Sequence, residues 1–198
     1  MARPSNTAFN RALIALCAIM PMVAADAADA PLIAGTFTPP RVAPEIVLSG
    51  SDGTELKLSR YRGKVVILGF GYTHCPAICP TTLAVLAAAH KRLGAQADDV
   101  QVLYITVDPE RDDVKRMGEF LGHFDPTFVG GTGTGTQLAA VRKDYGVTAE
   151  RVPMGDSYGY NHSSYTILID REGKLQALMP YGHSAEDYVH DVRNLLAK

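Results

Sequence analysis

The chain lacks the features that would place it in several large functional classes. It has three cysteines in 198 residues, too few for a disulfide scaffold, and a chain of this length buries a core without covalent staples. No long run of one charge sign occurs and the formal net charge is -2, so the basic face that nucleic-acid binding needs is missing. No apolar stretch reaches the about 20 residues of a comfortable transmembrane helix. The nearest, Ala12 to Val23, is interrupted by Pro21. The glycine-rich run Gly130 to Thr136 has no Gly-Lys-Ser/Thr ending, which excludes a nucleotide P-loop and leaves a flexible turn into a helix. Internal repeats and domain breaks are also absent.

What is present begins with an export signature over residues 1–27. Arg3 and Arg11 supply a positive start, Ala12 to Val23 the apolar stretch, and Ala25-Asp26-Ala27 a small-x-small cleavage site. The pattern predicts a secretory signal, with retention as an anchor the alternative. Cys17 lies inside this segment behind Leu16, a poor neighbour for lipid modification, and leaves with the signal. The mature chain then carries 17 basic and 20 acidic residues and two cysteines, in an oxidising compartment.

Residues 28–44, rich in Pro and Ala, predict an extended tether. A domain over 45–198 follows. Ile46 to Leu48 and Glu55 to Leu58 form an N-terminal hairpin, and Val65 to Phe70 an unbroken apolar strand covered on both faces. A helix over Thr82 to Leu93 stops at Gly94, and Val100 to Val107 is a second buried strand. Asp108-Pro109-Glu110-Arg111-Asp112-Asp113 opens a helix running to about His123, its carboxylates acting as caps. A short strand at Phe128-Val129, a helix over Thr136 to Tyr145, a hairpin from Tyr165 to Met179 and a helix over Ala185 to Leu196 complete the chain. This alternation predicts an α/β, thioredoxin-like (peroxiredoxin-like) mixed sheet flanked by helices, with an N-terminal hairpin extension.

The chemistry concentrates in Gly71-Tyr72-Thr73-His74-Cys75-Pro76-Ala77-Ile78-Cys79-Pro80, between the first buried strand and the first long helix. On one helical turn, positions i and i+4 share a face, with Cα atoms about 6 Å apart, a separation that suits a disulfide or a shared metal ion. A helix N-terminus favours the thiolate. A purely stabilising bridge is disfavoured, because so small a loop gains little from closure. Thiol exchange more commonly uses Cys-x-x-Cys. Two thiolates with an imidazole make a soft donor set for copper or zinc. His162, in a Gly- and Tyr-rich loop before the strand Tyr165 to Asp170, is the expected third ligand. His74 is too close in sequence to Cys75 to share its ion. His90, His123, His183 and His190 fall on helices or near the C-terminus and are expected to be solvated. Met154 is an ordinary loop methionine.

The Gly71 to Pro80 segment, followed by Val107-Asp108-Pro109-Glu110-Arg111-Asp112 and by His162-Ser163 before a strand, resembles the Sco/SenC family over roughly residues 42 to 197. That resemblance implies a thioredoxin-like fold and an exported or membrane-tethered protein facing the periplasm. It implies a copper chaperone that delivers Cu(I) or Cu(II) to the CuA centre of cytochrome c oxidase. Cys75, Cys79 and His162 fall on the copper positions, and Asp108 on the motif aspartate. The implied partners are a copper acceptor such as an oxidase subunit and a thioredoxin-like reductant, with a membrane nearby and no nucleic acid. Two departures stand out: Ala77 and Asn161 replace aspartates usual in the family, removing negative charge beside the site. The competing function is a thiol–disulfide reductase, with Cys75 and Cys79 its redox-active pair, that keeps a metal acceptor's cysteines reduced.

Overall fold

A computed structural model describes Met1 and residues 31–198. The export signature otherwise lies outside the described residues. Eight strands form one mixed sheet: β1 (Gly35–Val42), β2 (Val47–Gly50), β3 (Glu55–Lys57), β4 (Val65–Gly71), β5 (Val100–Thr106), β6 (Val129–Thr132), β9 (Tyr165–Ile169) and β10 (Lys174–Pro180). A separate two-stranded sheet pairs β7 (Ala149–Met154) with β8 (Ser157–His162). The helices are α1 (Ile78–Leu93), α2 (Val114–Gly122), α3 (Gly135–Asp144) and α4 (Ala185–Leu196).

The sheet order is β1-β10-β9-β4-β5-β6-β2-β3, with β4, β5 and β6 parallel and the remaining pairs antiparallel. Every residue of β4 is buried, as its unbroken apolar run requires of a central strand. Leu83, Leu86, Ala89 and Leu93 give α1 its buried face, which packs against α4. Gly94, at φ +60°, ends α1 in a conformation that favours glycine.

Three expectations change. The expected tether is extended but not free: β1 pairs with β10 through Gly35, Thr36, Arg41 and Val42, and the Thr38-Pro39-Pro40 stretch bulges out of the ladder. Proline cannot donate to a ladder, so the edge is where it is tolerated. The buried Asp191 carboxylate of α4 fixes the start of this segment by accepting the Ile33 N–H (2.7 Å) and the Ala34 N–H (2.9 Å). The expected N-terminal hairpin, β2 with β3, extends the sheet at its opposite edge, joined through β6. Helix α2 begins six residues after Asp108, where the Asp113 side chain accepts the Arg116 N–H. Two of the four glycines expected to form a flexible turn, Gly130 and Gly131, lie in β6, where a β-carbon at Gly131 would meet Ile105 Cδ1 at 2.5 Å.

Candidate metal centre

The cysteine segment leaves the C-terminal end of β4 as a turn and enters α1. Cys75 precedes the helix and is half-buried, while Cys79 lies in its first turn with 1% of its surface exposed. Pro80 is accommodated there because first-turn N–H groups have no partner within the helix. Ala77 takes the N-cap position and offers no side-chain acceptor. The Cys75 sulfur fills that role, accepting the Cys79 N–H at 3.4 Å. Both cysteines are free thiols.

The two sulfurs are electrostatically unequal. The hydrogen bond from Cys79 pulls the Cys75 thiol far below its ordinary pKa, helped by His162 and by the N–H groups of Cys79 and Ala77. The same bond to Cys75, and burial, push Cys79 strongly upward. The shared bond thus favours the anion on the half-buried Cys75 and the thiol on the buried Cys79.

His162 closes the site from the other side, its Nε2 3.6 Å from the Cys79 sulfur. Its Nδ1 lies 2.8 Å from the Ser163 carbonyl oxygen, which can only accept. That places a proton on Nδ1 and turns Nε2 toward the thiols. The segment expected to be a loop is the β7–β8 hairpin, turning at Gly155 with φ +56°. Asn161 is exposed and, by strand alternation, faces away from His162. Its replacement of a carboxylate therefore changes the surface around the site more than its interior.

The acidic motif after β5 holds both halves of the site, a role its sequence does not disclose. Asp112, with no exposed surface, accepts the Thr73 N–H at 3.0 Å, the Thr73 hydroxyl at 2.6 Å and the Thr106 hydroxyl at 2.6 Å. It thereby pins the turn two residues before Cys75. Asp108, equally buried, pairs with Arg111 Nε and accepts the Tyr158 hydroxyl at 3.1 Å. Arg111 also donates to the Tyr158 carbonyl at 3.1 Å. The Tyr158 ring lies between two guanidinium groups, Arg111 at 3.7 Å and Arg151 at 3.5 Å from its centroid. Tyr72 continues the link: its hydroxyl accepts the Tyr160 N–H at 3.2 Å, and its ring meets His162 edge-on at 6.0 Å. Asp113 alone caps a helix, so capping does not explain Asp108 and Asp112.

His74 approaches Asp108 and Asp112 closely enough for a three-ligand metal group, but both carboxylates already accept protein hydrogen bonds. His90 is not solvated as expected: its ring nitrogens face Asp125 at 2.9 Å and the Ala97 carbonyl at 3.2 Å. His183 and His190 pair with Asp187 and Asp191. Met154 is exposed on the hairpin, its sulfur over Gly159. Beside Cys79 and His162 opens a cavity of about 280 Å³, walled also by Tyr104, Val85, Tyr165 and Tyr181. The residues that sequence reasoning missed are Thr73, Tyr104, Arg111, Asp112 and Tyr158. The available signal was the density of carboxylates immediately after a buried strand.

The SCO1/SenC family profile matches residues 36–197. The mouse protein named SCO2 homolog, mitochondrial, is 36% identical over 141 residues, covering 69% of this chain and 55% of its own length. The chain therefore spans about half the length of that relative. Among solved structures, Bradyrhizobium japonicum ScoI with copper bound is 32% identical with a TM-score of 0.73, covering 78% of this chain and 99% of that one. Apo Sco1 from Thermus thermophilus is 29% identical with a TM-score of 0.75, covering 84% and 98%. The chain belongs to the SCO1/SenC family, and its fold is the thioredoxin-like α/β architecture of these neighbours.

Proposed function

We propose that this SCO1/SenC protein binds copper through Cys75, Cys79 and His162 and delivers it to the CuA centre of cytochrome c oxidase. The observation that carries the reading is the approach of His162 Nε2 to the Cys79 sulfur at 3.6 Å, its other nitrogen occupied by a carbonyl. Two sulfurs and one imidazole form a three-donor set of the softness copper prefers. The copper-bound ScoI neighbour supports the same cargo. Copper is the substrate here: it enters as Cys79 loses its proton and leaves when the acceptor's ligands replace these three. The cavity beside Cys79 gives an incoming ligand access to an otherwise buried sulfur.

The export signature over residues 1–27 supports a site of action outside the cytoplasm, periplasmic or held at the membrane facing it. The acceptor is an oxidase subunit, and a thioredoxin-like protein returns an oxidised Cys75–Cys79 pair to the thiol form. N-terminal sequencing of the exported protein tests the localisation: a start near residue 28 supports cleavage, and a retained N-terminus assigns the segment to anchoring.

Titration of the reduced protein with copper, beside His162→Ala, tests the metal reading. Stoichiometric thiolate-to-copper absorption in the wild type, lost or strongly weakened in the variant, is the expected result. A wild type that takes up no copper at sub-micromolar free metal overturns it.

The inequality of the thiols favours a second activity, thiol–disulfide reduction. In that cycle the Cys75 thiolate attacks an acceptor disulfide and displaces one acceptor thiolate. Cys79, losing its proton, attacks the mixed disulfide and releases the second, leaving Cys75–Cys79 oxidised for the thioredoxin-like reductant. Full turnover by Cys79→Ala would sink this two-cysteine cycle.

A further inference from the structure

Strand β4 carries two glycines, Gly69 and Gly71, inside its buried run. Glycine in a strand interior loses entropy and packs nothing, at a cost of roughly 0.5–1 kcal/mol against alanine, so the space above these positions needs an occupant. That occupant is Tyr104, the direct neighbour of Gly69 on β5. A β-carbon at Gly69 would lie 2.8 Å from Tyr104 Cδ2. One at Gly71 would lie 2.0 Å from the Tyr104 hydroxyl oxygen and 2.8 Å from the Cys79 sulfur. The two glycines thus form a trough along which the phenol ring lies, and its hydroxyl ends beside the buried sulfur.

A phenylalanine would fill the same trough. Only the hydroxyl distinguishes tyrosine, and a buried hydroxyl is costly without a hydrogen-bond partner. Tyr104 is 2% exposed and Cys79 1%, so solvent serves neither well. A sulfur bound to metal keeps negative charge, and a fixed O–H aimed at it stabilises that charge.

We infer that Tyr104 is a positioning residue of the metal centre, its hydroxyl donating a hydrogen bond to the Cys79 sulfur in the copper-bound state. The inference rests on the copper reading above and adds a determinant of affinity and electronic structure outside the three ligands. Withdrawing charge from the sulfur raises the energy of the sulfur-to-Cu(II) charge-transfer transition and slows loss of the metal.

The test is Tyr104→Phe in the full reduced chain, titrated with copper beside wild type. Expected are affinity weakened about tenfold, as for loss of a typical outer-sphere hydrogen bond, and a charge-transfer band moved to longer wavelength. Unchanged affinity with an unmoved band overturns the inference and leaves the copper reading standing. A wild type that takes up no copper overturns the copper reading, and the inference falls with it. Site-specific 3,5-difluorotyrosine at position 104 provides a second measurement should the phenylalanine variant fail to fold. A stronger O–H donor moves the band to shorter wavelength, and an unmoved band refutes the hydrogen bond.

Discussion

Removing Arg111 should damage the metal centre from a distance, and the size of the effect follows from what Arg111 touches. Arg111→Met deletes the guanidinium that pairs with Asp108 and donates to the Tyr158 carbonyl. The Asp108 side chain has no exposed surface and that of Arg111 only 18%. Stranding one member of a buried pair costs about 3–5 kcal/mol. The lower end applies, because Asp108 still accepts the Tyr158 hydroxyl. Loss of the cation over the Tyr158 ring adds about 0.5–1 kcal/mol. Urea denaturation of the apo protein should therefore show a loss of about 3–4 kcal/mol. Among the described residues the β7–β8 hairpin pairs only with itself, and this clamp is a main hold on it, so His162 should also lose its setting. Copper affinity should fall about 10- to 100-fold. Leu121→Ala, a fully buried α2 position with an expected cost of about 2–5 kcal/mol, is the control and should leave copper affinity intact. Adding Asp108→Asn to Arg111→Met removes the stranded charge and should recover part of the stability. The reasoning is refuted if Arg111→Met loses stability but binds copper as wild type does.

Three further outcomes follow from the geometry. Cys75, with its pKa far below the ordinary thiol range, should remain a thiolate in the reduced apo protein at pH 5.5 and alkylate rapidly. Free cysteine is only about 0.1% thiolate at that pH, and a Cys75 rate that tracks free cysteine would contradict the assignment. Gly71→Ala should destabilise the fold by about 1–3 kcal/mol through overpacking and weaken copper binding, since the new methyl group would displace either the Tyr104 hydroxyl or the Cys79 sulfur. Normal copper binding by that variant would show the trough to be slack. Asp191→Ala should cost about 2 kcal/mol for the two lost N–H bonds and speed amide exchange at Ile33 and Ala34. Unchanged exchange there would mean that β1 pairing alone holds the segment.

How much of this was legible depended on whether local pattern and tertiary role coincided. Strand β4 was legible because burial on both faces leaves an unbroken apolar run, and β5 because Val102 to Ile105 repeats that pattern. Helix α4 was legible because its apolar spacing continues to the chain end, and Ser184 with Asp187 caps its start. The cysteine pair and His162 stood out by residue type, which chemistry restricts more tightly than packing does. The start of α2 was misplaced because Asp108 and Asp112 look like cap residues while serving as buried acceptors, a distinction that depends on what lies across from them. Strand β7, Ala-Glu-Arg-Val-Pro-Met, buries neither face fully and so shows little alternation. Its pairing with β8 is visible only in the fold. Pro39 and Pro40 disguised β1, because the bulge that tolerates them is created by its partner strand. Tyr104 was hidden inside an apolar run, where a hydroxyl's direction leaves no trace in the letters.

The separateness of the β7–β8 hairpin also bears on how such a protein can diversify. Its turn, around Gly155, is paired with nothing in the eight-stranded sheet. Lengthening it adds only the slowly growing entropy of a larger loop and shifts no register in the core. The thiols are fixed by the central strands, while the surface that frames the imidazole belongs to a detachable module. The tip can therefore be rewritten without touching Cys75 or Cys79, and on the copper reading proposed above, grafting tips between relatives should leave copper uptake unchanged.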